Sequence, residues 1–239
     1  MSIKKHIPNT LTCCNLLCGA TAILLATEQL FVYAFVCILL GAVFDLFDGM
    51  VARLLHVSGP LGLQLDSLAD DITFGLAPAL MLYYYLQPVL GAWSVIALLM
   101  AAFSALRLAK FNIDDRQRAG FIGLATPGNA IFWCSICCLP ELVNGQHALV
   151  VAIILLCFSL FSCYLLLAEV PFFSFKFHSL QWKENSVPYT FLIIAAVLVI
   201  AATVTAAVLR QPHLVFLGSA ASIVVYVVMN FILMILPKR

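Results

Sequence analysis

The sequence predicts an all-α membrane protein whose helices cross the bilayer several times. Of the 239 residues, 64% are apolar and only 10% are charged. A water-soluble domain of this size has no core large enough to bury so much apolar surface. The apolar segments are also apolar on every side, whereas the strands of an outer-membrane barrel alternate apolar and polar residues. We therefore expect a helical bundle embedded in lipid, forming a single domain over residues 1–239.

Eight segments are long and apolar enough to cross the bilayer, for which ~20 mostly apolar residues are needed. The predicted spans are 11–27, 30–50, 66–86, 91–111, 127–144, 147–168, 188–209 and 213–236. No cleavable signal peptide is expected, because the first apolar run is too long for one and lacks a small-residue cleavage site. An even number of spans places both termini on the same side of the membrane.

The basic residues predict which side that is. Eleven of the twelve fall on the side of the N-terminus, namely Lys4, Lys5, Arg53, Arg107, Lys110, Arg116, Arg118, Lys176, Lys183, Lys238 and Arg239. Only Arg210 falls on the other side. Because basic residues accumulate in cytoplasmic loops, we expect an inner (cytoplasmic) membrane protein with both termini in the cytoplasm. With a net charge of +1, no nucleic-acid partner is expected.

The nine cysteines lie almost all within apolar stretches. An odd number at membrane depth argues against a disulfide framework. Cys134, Cys137 and Cys138 are close in sequence, but no second Cys or His pair stands at the spacing of a zinc site. We expect these side chains to act as small buried apolar groups.

Five carboxylates stand within 27 residues around the loop between the second and third spans: Asp45, Asp48, Asp66, Asp70 and Asp71. On a helix Asp45 and Asp48 share one face, and so do Asp66 and Asp70. If the two spans form a hairpin, these four residues, here called the Asp quartet, converge near the membrane surface. Four such groups repel one another unless cations neutralise them, and oxygen ligands favour Mg²⁺ or Mn²⁺, or less readily Ca²⁺, over zinc. The alternative is a solvated, charged helix end.

Small residues accompany the Asp quartet. Gly49, Ala52 and Gly62 lack side-chain bulk and would let a ligand approach the backbone. Tight helix packing is the alternative explanation for them. Arg53 lies one turn beyond Asp48, where its guanidinium could pair with a phosphate or with an Asp.

Together these residues form the pattern Asp45-x2-Asp48-Gly49-x2-Ala52-Arg53-x8-Gly62-x3-Asp66-x3-Asp70. This stretch, 45–70, resembles the signature of the CDP-alcohol phosphatidyltransferases at all eight defined positions. The resemblance implies a membrane enzyme that moves a phosphatidyl group from a CDP-linked lipid to an alcohol and releases CMP. It also implies a core of six helices, a homodimer and a site that faces the cytoplasm. The last two predicted helices, 188–236, would then be peripheral to the core.

The resemblance implies a role for each signature residue. The Asp quartet would bind two divalent ions, and Asp70 would also accept a proton during the reaction. Gly49 and Arg53 would contact the CDP portion of the lipid, and Ala52 and Gly62 would leave room for it.

Further segments resemble the membrane-embedded phosphatidylserine synthases of that family. They are Ile7-Pro8-Asn9-x-Leu11-Thr12-x2-Asn15, Ser67-Leu68-Ala69-Asp70-x3-Phe74-Gly75-x-Ala77-Pro78-Ala79, Arg107-Leu108-Ala109-Lys110-Phe111-Asn112 and Phe121-x-Gly123-Leu124-Ala125-Thr126-Pro127. Two positions depart from the pattern, since Lys110 replaces a usual Arg and Ala125 a frequent Pro. The similarity implies CDP-diacylglycerol and L-serine as substrates, with phosphatidylserine and CMP as products.

Two groups of polar residues are candidates for contacts to these substrates. Serine carries a carboxylate, and Arg107 and Lys110 stand one turn apart with Asn112 nearby, so we expect these three to bind it. They could instead be basic residues that only set the topology. Thr12 and Asn15 could bond the nucleotide or diphosphate, although helix capping and interhelical bonding fit them equally well.

Two other functions remain open. A sibling transferase would use glycerol 3-phosphate or inositol phosphate, whose dianionic phosphate needs a denser basic pocket, such as Arg107, Lys110, Arg116 and Arg118 would form. A cation channel or transporter is a remote alternative, because its carboxylates would lie near the bilayer midplane. The Asp quartet instead lies at one interface, beside Arg53.

Overall fold

The computed structural model describes residues 6–57, 59–114, 116, 121–173, 182 and 185–235. In this part of the chain the α-helices are α1 (His6–Thr27), α2 (Phe31–Leu54), α3 (Pro60–Asp70), α4 (Ala77–Leu90), α5 (Leu99–Ile113), α6 (Thr126–Cys137), α7 (Ala148–Leu167), α8 (Ser186–Leu209) and α9 (Val215–Ile235). A π-helical segment, Asp71–Leu76, joins α3 to α4, and 3₁₀ turns cover Gly91–Leu98, Pro140–Val143 and Pro212–Leu214. Strands β1 (Phe121–Ile122) and β2 (Pro171–Phe172) form a short antiparallel pair.

The structure confirms a polytopic helical membrane protein. By length and composition, six helical stretches of the described chain can cross a membrane. They are His6–Thr27, Phe31–Leu54, Pro60–Ile113, Ala148–Leu167, Ser186–Leu209 and Pro212–Ile235. The prediction of eight separate spans differs from this result at two places.

The first difference is that predicted spans 66–86 and 91–111 lie in one helical stretch of 54 residues, Pro60–Ile113. At 1.5 Å per residue this stretch is about 80 Å long, far more than the ~30 Å hydrocarbon layer. The chain turns at Gly91, whose φ of +56° is open to glycine at little cost. Helix α5 then packs back against the π-helical segment, so the single stretch passes through the bundle twice.

The second difference lies at the predicted span 127–144, which the structure forms from a short α-helix and a 3₁₀ turn rather than from one long α-helix. Helix α6 has only 12 residues and ends at Cys137. A 3₁₀ turn follows at Pro140–Val143, because proline cannot continue the hydrogen-bonding pattern of an α-helix. Helix α6 is nonetheless largely buried, and Cys134, Cys137 and Cys138 belong to the apolar core.

Small residues let α1, α2 and the π-helical segment approach one another closely. A Cβ atom added at Gly41 would lie 2.9 Å from Asn15 Oδ1 and 2.7 Å from Thr73 Cγ2. A larger side chain at Gly41 would therefore push α2 away from α1. This contact holds the polar part of α1 against the segment that follows Asp70.

The loops of the bundle group at two ends. At one end β1 pairs with β2, and Arg116 Nη2 lies 3.5 Å from Glu169 Oε1. At the other, His213 Nε2 lies 3.0 Å from Glu141 Oε1 and connects the loops that follow α6 and α8. Of the basic residues used to predict orientation, Lys4, Lys5, Arg118, Lys176, Lys183, Lys238 and Arg239 lie outside the described residues.

Candidate active site

Helices α2 and α3 bring three carboxylates of the Asp quartet together. Asp45, Asp48 and Asp66 each offer one oxygen atom, and these atoms all lie within 4.8 Å of one another. Asp48 is buried, and the side chains of Asp45 and Asp66 lie within hydrogen-bonding range of each other. None of the ion pairs between described residues involves these three groups. Because like charges this close repel, the group is suited to hold a cation, and its all-oxygen donor set fits a hard divalent metal ion.

Asp70, the fourth member of the quartet, lies beside this group rather than within it. It is the last residue of α3, one turn beyond Asp66. Its carboxylate is close enough to interact electrostatically with Asp45, Asp66 and Asp48, and its Oδ1 atom accepts a hydrogen bond of 3.1 Å from Asn15 Nδ2. The structure therefore divides the predicted quartet into three clustered carboxylates and a neighbour held by α1.

Helix α1 supplies polar groups that bond the carboxylates. The Thr12 hydroxyl lies 2.5 Å from Asp48 Oδ2, and Thr73 on the π-helical segment donates a hydrogen bond of 2.9 Å to the Asn15 carbonyl oxygen. Thr12 and Asn15 thus make interhelical bonds to the site, which was one of the two alternatives open for them. A direct contact from either residue to a nucleotide stays a prediction.

The glycines of the signature are not required by helix packing. A Cβ atom at Gly49 would meet only Arg53 Nη1, at 3.8 Å, and one at Gly62 only Asn9 Oδ1, at 3.6 Å. Both distances are ordinary van der Waals contacts. Ala52 is half-buried and Arg53 is exposed on the same helix. This geometry favours the interpretation that small residues leave space for a ligand, and it disfavours close helix contact as their reason.

Arg107 is buried near the end of α5, with 6% of its surface exposed. Its Nη1 atom donates a hydrogen bond of 3.3 Å to Thr126 Oγ1, and the guanidinium carbon lies 5.6 Å from the centre of the Phe111 ring. The guanidinium also interacts electrostatically with Asp70 and with Tyr226 on α9. Arg107 therefore stands between the carboxylates and the last helix.

The other two residues predicted to bind serine are placed differently. Lys110 is exposed and shares with Arg107 a pocket of about 10 Å³, room for about one water molecule. Arg116 lines the same pocket, and its 2.8 Å bond to Asp114 lowers the pKa of the Asp114 carboxyl. Asn112 instead donates a hydrogen bond of 2.8 Å to Ser67 Oγ on α3. The structure thus separates Asn112 from the two basic side chains.

Sequence reasoning missed the close packing behind Asp70. A Cβ atom at Gly75 would lie 2.7 Å from Asp71 Oδ1 and 2.9 Å from Ser104 Oγ, so α5 presses closely against the π-helical segment. Asp71 was one of the five acidic residues noted in the sequence. The π-helical segment places its side chain against Gly75 and Ser104 rather than towards the Asp quartet. A π-helical turn has no clear sequence signal, although such turns are frequent at functional sites.

The fold and the site together define a polytopic helical membrane protein with a potential metal centre at one end of its bundle. The family model of the CDP-alcohol phosphatidyltransferases matches residues 5–237. The chain therefore belongs to the CDP-alcohol phosphatidyltransferase family.

Several relatives bear the name CDP-diacylglycerol–serine O-phosphatidyltransferase. The Bacillus subtilis protein is 33% identical over 184 residues, which are 76% of this chain and 97% of that protein. The Methanocaldococcus jannaschii protein is 35% identical over 159 residues, 65% of this chain and 74% of that protein. The Helicobacter pylori protein is 34% identical over 145 residues, 59% of this chain and 60% of that protein.

Proposed function

We propose that this protein transfers the phosphatidyl group of CDP-diacylglycerol to the hydroxyl of L-serine, giving phosphatidylserine and CMP. The observation that carries the proposal is the clustering of Asp45, Asp48 and Asp66, with Asp70 beside them, in a member of this family. Serine is favoured as the acceptor because the relatives named above, at 33–35% identity, are named for it.

The reaction forms a bond between the serine oxygen and the lipid phosphorus, and breaks the bond from that phosphorus to the oxygen of CMP. A hydroxyl is a poor nucleophile until a base accepts its proton. We assign this role to Asp70, whose carboxylate Asn15 holds in place through a hydrogen bond of 3.1 Å. Thr12 similarly fixes the orientation of Asp48.

We further propose that the Asp quartet holds two divalent ions, Mg²⁺ or Mn²⁺. When bound, such ions neutralise charge on a diphosphate and on the departing CMP. Other residues of the signature would complete the binding site for the CDP-lipid donor. Arg53 would bind a phosphate oxygen beside Gly49, and the small side chains of Ala52 and Gly62 would accommodate the nucleotide.

The acceptor identity is tested with purified protein and CDP-diacylglycerol. We expect CMP release to depend on serine, and to stay at background when glycerol 3-phosphate or inositol phosphate replaces it. Detection of phosphatidylserine by mass spectrometry checks the product. Faster CMP release with a phosphorylated acceptor would overturn serine and assign the protein to the sibling transferases.

Arg107 is the residue best placed to bind the serine carboxylate, because its guanidinium lies within electrostatic range of Asp70. A serine held there would have its hydroxyl near the proposed base. For Arg107→Ala we expect the KM for serine to rise by roughly 10- to 100-fold, as for the loss of a charge-assisted bond. The KM for CDP-diacylglycerol should change little.

Lys110→Ala is the matched control, since Lys110 is exposed one turn away and lies on the small surface pocket. We expect a change below about threefold in its serine KM, as for an exposed charge. Circular dichroism and size-exclusion profiles would show whether either variant is misfolded. An unchanged serine KM in well-folded Arg107→Ala would remove Arg107 from the acceptor site.

We also propose that the protein is a homodimer in the cytoplasmic membrane, with its termini and active site on the cytoplasmic side. The position of the basic residues supports this orientation. Arg53, Arg107 and Lys110 lie at the ends of α2 and α5 that border the candidate site, whereas Arg210 follows the opposite end of α8. The family resemblance supports the dimer.

A further inference from the structure

An apolar slot of about 290 Å³ lies between α6, α7 and α9. Four phenylalanines contribute to its walls: Phe132, Phe158, Phe161 and Phe231. On α9 the lining extends from Ile223 to Phe231, which corresponds to a length of ~12 Å along the helix. The slot therefore runs parallel to the helix axes, the direction that a lipid chain takes in a bilayer.

The slot is open towards the lipid. Phe158 and Phe161 on α7 and Val228 on α9 are exposed at 39%, 46% and 48% of their surface. Each of these helices belongs to a membrane-spanning stretch, so hydrocarbon chains are the medium that surrounds the opening. An occupant of the slot is thus expected to enter from the bilayer.

Two polar side chains border the slot. The Ser162 hydroxyl is already hydrogen-bonded, since it accepts from Trp133 Nε1 at 3.0 Å and donates to the Ser159 carbonyl oxygen at 2.9 Å. Asn129 in the first turn of α6 is 1% exposed, and neither of its amide atoms has a hydrogen-bond partner among the described residues. An amide group without partners is costly in a medium without water. A ligand atom able to accept or donate a hydrogen bond would remove this cost.

The Asn129 end of the slot lies close to the candidate active site. Asn129 stands one turn after Thr126, which accepts the hydrogen bond of Arg107. Arg107 in turn interacts with Asp70 on one side and with Tyr226 on the other. Tyr226 immediately precedes Val227, a residue of the slot wall. Arg107 and its neighbours therefore connect the carboxylates to the slot.

We propose that this slot binds one acyl chain of the CDP-lipid donor, with the ester carbonyl oxygen of that chain accepting a hydrogen bond from Asn129 Nδ2. The assignment rests on the proposed function. A diacylglycerol donor has an ester at the head of each chain, directly between the glycerol and the hydrocarbon. The slot offers the same order of groups, because the Asn129 amide lies at the end nearest the candidate active site and mostly apolar side chains line the rest.

The first test fills the slot by Val227→Trp and compares donors with octadecenoyl and hexanoyl chains. Lipid tails are as apolar as the slot, so the chain gains mainly packing contacts there and the effect is modest. We expect the KM for the long-chain donor to rise about fivefold, with the KM for serine and for the short-chain donor within about twofold of the unaltered protein. Ile232→Trp is the matched control, because Ile232 is an exposed β-branched residue of α9 outside the slot.

The second test replaces Asn129 by Leu and compares diacyl donors with dialkyl ether donors, which lack the carbonyl. We expect a rise in KM of about fivefold for the diacyl donor and little change for the ether donor, as for the loss of one neutral hydrogen bond. An equal effect of Asn129→Leu on both donors would overturn the hydrogen bond to the ester.

A binding readout separates the donor from bulk lipid. CDP-diacylglycerol with a photoactivatable diazirine on one chain is expected to label α6, α7 or α9 of the unaltered protein, and Val227→Trp should reduce that labelling. Equal labelling by phosphatidylcholine with the same diazirine would overturn the donor assignment.

If Val227→Trp and Ile232→Trp affect CMP release equally, the slot assignment fails while the proposed function stands. If the unaltered protein releases no CMP with any acceptor, the proposed function itself fails, and the slot assignment with it.

Discussion

Asp70→Asn is expected to lower the turnover number by roughly 10²- to 10⁴-fold, the contribution usual for a general base. Asparagine has nearly the same shape, and its carbonyl oxygen can still accept the hydrogen bond that Asn15 donates to Asp70 Oδ1. It cannot, however, take the proton of the serine hydroxyl. We therefore expect a folded protein that binds the CDP-lipid with nearly unchanged affinity but turns it over very slowly. CMP release under saturating substrates, together with donor binding by the inactive protein, measures the two effects separately.

Asp71→Asn is the matched control for this experiment. Asp71 is the next residue in the chain, but its Oδ1 atom lies against Gly75 and Ser104 rather than towards the quartet. We expect Asp71→Asn to keep a turnover number within about threefold of the unaltered protein, because a group outside the reaction contributes little to it. Should Asp70→Asn retain a tenth or more of the activity, or Asp71→Asn lose as much as Asp70→Asn, the base would have to be assigned elsewhere.

Part of the site could be predicted from the sequence, because helix geometry alone relates its residues. Three- and four-residue spacings place Asp45 with Asp48, and Asp66 with Asp70, on common faces. A short loop between apolar segments then brings the two helices side by side. The structure agrees for Asp45, Asp48 and Asp66, which meet within 4.8 Å. The same reasoning found the membrane class of the fold, since it depends only on how much apolar surface must avoid water.

Contacts between distant helices could not be predicted in this way. The bonds of Thr12 to Asp48 and of Asn15 to Asp70 depend on how α1 lies across α2 and α3, which no local spacing encodes. The only sign of these hydrogen bonds in the sequence was that two polar side chains stand near the start of an apolar helix. The place of Asn112 was also missed, because it points to Ser67 on α3 rather than towards Arg107.

The interruptions within the predicted spans were missed for a related reason. Hydropathy detects apolar length, but it does not show whether a segment ends or continues into the next helix. The stretch Pro60–Ile113 is helical throughout and changes direction at Gly91, where a positive φ allows the turn. Helix α6 shows the opposite case, since an apolar stretch of spanning length holds an α-helix of only 12 residues and a 3₁₀ turn. In both regions, breaks in the helix rather than changes in composition determine where each α-helix begins and ends.

Removal of divalent ions is expected to reduce CMP release to background, and addition of Mg²⁺ or Mn²⁺ to restore it. The carboxylates of Asp45, Asp48 and Asp66 have no basic side chain as ion-pair partner among the described residues, so a bound cation is their means of charge compensation. Activity before and after treatment with EDTA tests the requirement. Electron paramagnetic resonance of added Mn²⁺ tests binding independently of activity, with two ions per chain as the expected number.

Asp48→Asn is the sharpest variant for this prediction, because Asp48 is the most buried of the three clustered carboxylates and is fixed by Thr12. Loss of one charged ligand is expected to weaken Mn²⁺ binding by about 100-fold or more, in line with charge-assisted contacts. The exposed acid Glu28, in the loop between α1 and α2 at the other end of these helices, provides the control variant Glu28→Gln, for which no change is expected. Full activity in EDTA, or Mn²⁺ binding that Asp48→Asn leaves intact, would show that the clustered carboxylates do not hold the ions that the proposed transfer requires.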